Sequence, residues 1–340
     1  MMNVGVIGCG YWGPNFVRVF NELEGSKVTW CCDLDEQKLN SIKGRYPWIK
    51  TTKDYLEILN DPEVVIVVVA TPASTHYSVV KDCLSYGKHI LVEKPFTLNT
   101  KEGEELIDIA RKKDKILYVG HVYEHHPAVQ KLKEYISSGY LGNIYYMHFD
   151  RTGLGPIRDD VNVIWDLAPH DISIMLYLLD NIIAGGPITV TARGKSYLRE
   201  DIEDIAFLTL ELPKKIVVNI HLSWLDPIKV RKVTVVGDKR MAIFDDTNNL
   251  EMLKIFDSGV VVGQPSSYGE FRLSLRKGDI LIPMIEVSEP LMNEAKYFLE
   301  CVKNGESLKT SAIEGLKVVQ ILEAAQISIK RDGAPIKLDL

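Results

Sequence analysis

The chain has 340 residues, 46% of them hydrophobic and 25% charged, with a formal net charge of -6. This balance belongs to a globular chain with a sizeable core, excluding a fibrous or disordered one, and the net negative charge argues against a nucleic-acid partner. No run reaches the roughly 18 apolar residues of a membrane span, and the N-terminus enters an apolar strand without a signal-like segment, so no membrane partner is expected and the cytoplasm is the default location.

The length prior suggests two domains. The first residues with chemical meaning come at once: the apolar run Val4, Gly5, Val6, Ile7 breaks into Gly8, Gly10 and Gly13, and a helical pattern with Phe16, Val17, Phe20 and Leu23 on one face follows. Strand, glycine turn and helix in that order make a phosphate site. Gly8 permits the tight bend, Gly10 lets backbone N–H groups approach a pyrophosphate, and Gly13 allows close packing of helix on strand. A second apolar strand, 28–32, ends at Asp33, twenty residues beyond Gly13, where an acidic group meets the adenosine ribose.

Strands and helices then alternate, which predicts a parallel sheet covered on both faces. The run 64–70 suits a central strand and stops at Thr71 and Pro72; Ser74 is the expected cap of the next helix, which carries His76. Ligands bind at strand carboxyl ends in such sheets, so Thr71, Pro72 and His76 are expected to line a dinucleotide. The strand 89–92 delivers Glu93, Lys94 and Pro95 at its end, the proline holding the lysine in extended geometry. A helix at 100–112 and a sixth strand at 116–120 complete a first domain, 1–120.

The second domain, 121–340, changes character. After a helix at 128–137, strands dominate at 144–150, 188–192, 205–212, 216–221, 230–236 and 241–244, several alternating apolar with polar. An antiparallel sheet with one packed face is predicted. Between the first two of these strands lies a polar loop with Arg151 and Arg158, leading to Trp165, Asp166 and His170; a helix continues through Ile172, Met175, Leu176 and Leu179. Four residues apart, Asp166 and His170 share a side if the segment is helical. Helices near 291–301 and 313–329 read as structural.

Cys9, Cys31, Cys32, Cys83 and Cys301 show no CxxC pair and read as reduced core thiols. His121, His125 and His126 suggest a metal cluster, but Pro127 interrupts the helix that such ligation needs, and no metal is expected.

The glycine turn, Asp33, the Thr71 to His76 segment, Glu93-Lys94-Pro95 and the Asp166/His170 pair together resemble the glucose-fructose oxidoreductase, inositol dehydrogenase and rhizopine-catabolism (Gfo/Idh/MocA) family over the whole chain. The resemblance implies an α/β chain: a Rossmann domain followed by an α/β domain with a large, mostly antiparallel open sheet, through which members form homodimers or homotetramers. The C-terminal helix is expected to pack back on the first domain. The cofactor implied is NAD, contacted by Gly8, Gly10, Tyr11, Trp12, Gly13, Asp33, Thr71, Pro72, His76, Glu93 and Lys94. Substrate contacts fall to Lys94, Tyr123, Arg151, Arg158, Asp166 and His170. Lys94 would bind the reacting hydroxyl, His170 would be the acid/base, and Asp166 would orient substrate or histidine, with Lys94 as the competing base. The chemistry agrees, since oxidising a secondary alcohol needs a proton acceptor that titrates near neutrality and a cation for developing alkoxide charge. The Arg151 to His170 stretch is similar to members of nucleotide-sugar pathways that oxidise a ring hydroxyl such as C3. Inositol or free-sugar dehydrogenases, 3-ketosugar reductases and NAD-using glycosidases are the alternatives.

Overall fold

The computed structural model describes residues 1–183, 186–262, 273–305 and 311–339. The chain divides into two compact units, Met1–His125 with Ser288–Glu323, and His126–Val287 with Ala324–Leu340.

In the first unit the sheet is formed by β1 (Met2–Ile7), β2 (Ser26–Cys32), β3 (Lys50–Thr52), β4 (Val64–Val69), β5 (His89–Glu93) and β6 (Leu117–Gly120), all parallel, in the order β3-β2-β1-β4-β5-β6. The helices α1 (Gly13–Glu22), α2 (Glu36–Arg45), α3 (Leu56–Asn60), α4 (Ala73–Ser85) and α5 (Thr100–Lys113) connect successive strands. β4 reads Val-Val-Ile-Val-Val-Val; β-branched side chains pack well on a pleated surface covered on both sides, and five of the six are buried. α1 contributes Phe16, Val17, Val19 and Phe20 to a core with Val4, Val6, Val28, Ile66, Val68 and Leu91.

Caps follow the side chains available. Asp35 accepts from Gln37 N–H at 2.9 Å to start α2, and Asn99 accepts from Glu102 N–H at 3.0 Å to start α5. The expected cap at Ser74 is corrected: α4 starts two residues earlier with Pro72 in the capping place, and Ser74 lies exposed inside the helix. The first unit continues to His125 and includes Ser288–Glu323, which lies within the expected second domain 121–340. Its helix α8 (Pro290–Asn304) adds Leu291, Ala295, Phe298 and Leu299 to the first unit's core.

The second unit opens with α6 (Pro127–Ser137), then β7 (Ile144–Thr152) and α7 (Val163–Ile183). β8 (Pro187–Lys195), β9 (Ile205–Leu212), β10 (Ile216–Ser223), β11 (Val230–Gly237), β12 (Met241–Asp245) and β13 (Leu253–Phe256) follow. The short β14 (Gly259–Val262), β15 (Leu273–Arg276) and β16 (Ile280–Leu281) precede α8, and α9 (Ser311–Lys330) and β17 (Ile336–Asp339) end the chain. The large sheet runs β16-β13-β12-β11-β7-β10-β9-β8-β17. It is mostly antiparallel, but β10 lies parallel to β7, with Ile220 opposite Phe149. Alternation puts Val190, Leu208, Leu210, Val218, Ile220, Val233 and Val235 on the packed side, while Phe207 on the other side keeps 54% of its surface exposed. The Met147 and Phe149 positions of β7 are fully buried, and so are Ile172, Met175 and Leu179 of α7.

Candidate active site

The glycine turn after β1 is shaped by contacts that no side chain could tolerate. Gly8 has φ +96°, and a Cβ there would stand 2.5 Å from the Ala70 carbonyl oxygen; a Cβ on Gly13 would stand 2.1 Å from the Gly8 oxygen. A Cβ on Gly10 would meet nothing within 4 Å. The turn is therefore tight on its protein side and open at Gly10, which is the cradle a pyrophosphate needs at the start of α1. Asp33 is fixed beside it: Oδ2 accepts from Cys9 N–H at 2.7 Å and Oδ1 from Asp35 N–H at 2.9 Å. Lys38, in the first turn of α2, brings its Nζ to 3.8 Å from Asp33 Oδ1. Tyr11 is 84% exposed, and Trp12 packs edge-on against it with ring centroids 5.5 Å apart.

At the ends of β4 and β5 the structure separates groups that face outward from groups that hold them. His76 is 1% exposed, with Nδ1 2.8 Å from the Pro95 oxygen and Nε2 2.9 Å from the Thr71 oxygen. It was expected to line the cofactor; instead its ring lies inside, tying the loop after β4 to the residue that follows Lys94. Thr71 is half-buried and Pro72 exposed. Glu93 and Lys94 are both half-buried, and Glu93 Oε2 accepts from Lys94 N–H at 3.1 Å. Burial pushes the Glu93 carboxyl up to about 7, against the pull of the Lys94 charge. Tyr123 is 8% exposed in the 3-10 turn Val122–His125.

The second unit carries a cluster of its own on and beside α7. α7 is continuous from Val163, so Asp166 and His170 do lie one turn apart on one helix, and Asn162 accepts from Trp165 N–H at 3.1 Å at its start. His170 is half-buried. Asp166 is held from two directions: Trp224 Nε1–H donates to Oδ2 at 3.2 Å, and Arg158 Nη1 lies 3.4 Å from Oδ1. Arg158 also grips Asp160, Nε to Oδ1 at 2.9 Å and Nη2 to Oδ2 at 2.6 Å, which holds the Asp160 carboxyl below its usual range. The guanidinium side chain still keeps 33% exposure.

Arg151 is corrected. It was expected to touch substrate, but it is 5% exposed and bound to Asp171, Nε to the two carboxylate oxygens at 2.9 and 3.0 Å and Nη2 at 2.7 Å. Two partners were missed altogether, Trp224 and Asp171, because neither stands at an informative spacing from the residue it holds. Among the described residues no group of three His, Cys, Asp or Glu is placed to hold a metal, the five cysteines are buried and free, and no helix is long and apolar enough to cross a membrane.

Residues 2–121 match the oxidoreductase family with an NAD-binding Rossmann fold, and residues 129–243 match the Gfo/Idh/MocA C-terminal domain. UDP-N-acetylglucosamine 3-dehydrogenase of Acidithiobacillus ferrooxidans is 33% identical over 227 residues, 66% of this chain and 69% of the relative. An NADP-linked scyllo-inositol 2-dehydrogenase of Bacillus subtilis is 27% identical over 97% of this chain and 94% of its own. A solved structure of the Acidithiobacillus enzyme superposes with a TM-score of 0.80 at 25% identity, covering 97% of this chain and 98% of that one. GenD2 from gentamicin A biosynthesis, solved with NAD, shares the fold with a TM-score of 0.83 at 22% identity, covering 100% of this chain and 97% of that one. With both halves matched and a relative at one-third identity, the chain belongs to the Gfo/Idh/MocA family and is an NAD-binding dehydrogenase.

Proposed function

We propose that the enzyme oxidises a secondary ring hydroxyl of a nucleotide sugar, in the manner named for its UDP-N-acetylglucosamine 3-dehydrogenase relative. The observation that carries this reading is the cluster on and beside α7, where a half-buried imidazole, a fixed carboxylate and a partly exposed guanidinium lie within one helical turn and its loop. Bound NAD supplies the hydride acceptor. The chain supplies the rest: His170 takes the hydroxyl proton, Asp166 orients the sugar or the imidazole, and Lys94 stabilises negative charge on the oxygen. Arg158, with a third of its side chain exposed, would meet the anionic diphosphate. The subunits associate through the side of the large sheet on which Phe207 is exposed.

Arg158→Ala should weaken nucleotide-sugar binding by about 1.5–3 kcal/mol, the range of a charged hydrogen bond, and leave NAD affinity in place. It should also lower kcat, since Asp166 loses its contact with Arg158. Equilibrium binding of UDP-N-acetylglucosamine checks this; unchanged affinity, or faster turnover of inositol than of any nucleotide sugar, defeats the proposal. A second reading, inositol dehydrogenase, is favoured by relatives that match nearly the whole chain, one of them the myo-inositol 2-dehydrogenase of Thermotoga maritima at 24% identity over 99% of this chain. Under that reading Arg158 only anchors Asp166, and the substitution lowers kcat without changing affinity for any anion.

A further inference from the structure

Three acidic side chains of the first unit come from separate elements to the end of β5. Glu93 ends that strand, and Glu124 lies in the turn Val122–His125. Glu294 reaches in from α8, its Oε2 3.8 Å from the place a Cβ would occupy on Gly120, the residue paired with Glu93 across β5 and β6. Glu294 is 1% exposed, and its Oε1 has no hydrogen-bond partner among the described residues. His121, 3% exposed and close enough to Lys94 to feel its charge, has none at either ring nitrogen. Buried polar atoms are nearly always satisfied, so unsatisfied ones gathered beside a half-buried carboxyl mark a place where a polar ligand belongs.

In a sheet of this order a dinucleotide crosses the carboxyl ends of the strands, its adenosine half over β2, where Asp33 stands, and its other half over β4 to β6. That other half carries the nicotinamide, a ring that is cationic when oxidised and neutral when reduced. We propose that Glu93 discriminates between the two redox states: its carboxylate favours the cationic ring and its carboxylic acid the neutral one, so that replacing NADH by NAD+ releases one proton from Glu93. This rests on the reading that Glu93 and Lys94 face the nicotinamide.

The neighbouring groups leave Glu93 as the first to titrate near neutrality. Burial raises Glu93 to about 7, and raises Glu124 to about 8 with help from Glu314. Burial, then the charges of Glu93 and Glu124, push the Glu294 carboxyl well above its ordinary value. Burial lowers His121 to about 3 and His125 to about 4, so both are neutral above pH 5 or so, and it raises the Tyr118 hydroxyl, which also feels Glu294, Glu124, Tyr297 and Cys301. Below its pKa Glu93 is neutral and must lose a proton for NAD+ to gain its charge. Affinity for NAD+ therefore climbs with pH, by at most about tenfold per pH unit for one proton, and levels off above about 7. NADH makes no such demand.

The test is the ratio of NAD+ to NADH affinity of the full chain, stripped of cofactor, between about pH 5.5 and 7.5, with NADH followed by fluorescence and NAD+ by its displacement. The ratio should move by roughly tenfold toward NAD+ as pH rises, lie flat in Glu93→Gln, and keep its slope in Glu294→Gln. Groups that act on the shared adenosine half cancel in the ratio. ADP-ribose binding reports whether a variant is folded; if Glu93→Gln fails that check, the wild-type ratio decides alone. A wild-type ratio that ignores pH, or a slope that survives in Glu93→Gln, overturns the proposal. Failure of the underlying site reading looks different: Lys94→Ala would then leave turnover and both affinities unchanged.

Discussion

Arg151 and Asp171 form an ion pair closed off from water, 6% and 2% of the side chains exposed, that joins β7 to the turn of α7 carrying His170. Burial pushes the Asp171 carboxyl up and the Arg151 guanidinium pulls it back, so removing Arg151 takes away the hydrogen-bonded counter-charge of a buried carboxylate. Breaking such a pair costs about 3–5 kcal/mol, whereas replacing both members with apolar side chains of similar size is often neutral. Arg151→Met should destabilise the protein by that amount in denaturant unfolding, and Arg151→Met with Asp171→Leu should recover most of it. A loss under about 1 kcal/mol, the value of an exposed pair, would show that the bridge is not structural. The same pair marks a limit of sequence reading. An arginine at the edge of a glycine-containing loop has the composition of an anion ligand, and the carboxylate that claims it lies twenty residues on, in another element, at no periodic spacing. Trp224 went unseen for the same reason, since it meets Asp166 across 58 residues. Asp166 and His170 were legible because helical spacing is local.

Elements with a strong period were readable: the valine run of β4, the alternating β8 to β12, the amphipathic α1. The edge strands β16 and β17, of 2 and 4 residues, carry too few positions for a period to show and exist by pairing with β13 and β8. α8 was legible as a helix, but its apolar stripe says that it packs and not on what; its partners are α1 and the core of the first unit. The glycine turn allows a sharper division than its motif. Gly10→Ala puts a methyl into open space, so folding stability should stay within about 1 kcal/mol, the helix-edge cost of exchanging glycine and alanine, while NAD affinity falls as the methyl enters the pyrophosphate cradle. Gly13→Ala forces a methyl against the Gly8 carbonyl and should destabilise the first unit itself. Thermal unfolding and NAD titration of the two variants separate these effects; equal loss of stability in both would mean that the turn is rigid throughout and Gly10 is no ligand surface.

At the scale of the whole molecule, one unit carries the Rossmann sheet with Asp33, Glu93 and Lys94, and the other carries α7 with Asp166 and His170. The central claim assigns them one reaction: net hydride transfer from a nucleotide-sugar hydroxyl to NAD, with His170 as the base. The most direct measurement is nicotinamide absorbance on mixing the protein with NAD and UDP-N-acetylglucosamine, repeated across pH for the wild type and His170→Ala. The account predicts reduced cofactor in the wild type, a kcat lower by about 10²–10⁴ in the variant with NAD binding intact, and disappearance of the limb of kcat/KM near neutrality. Absence of net reduction with every nucleotide sugar tried, or a variant that keeps both its rate and that limb, would contradict it.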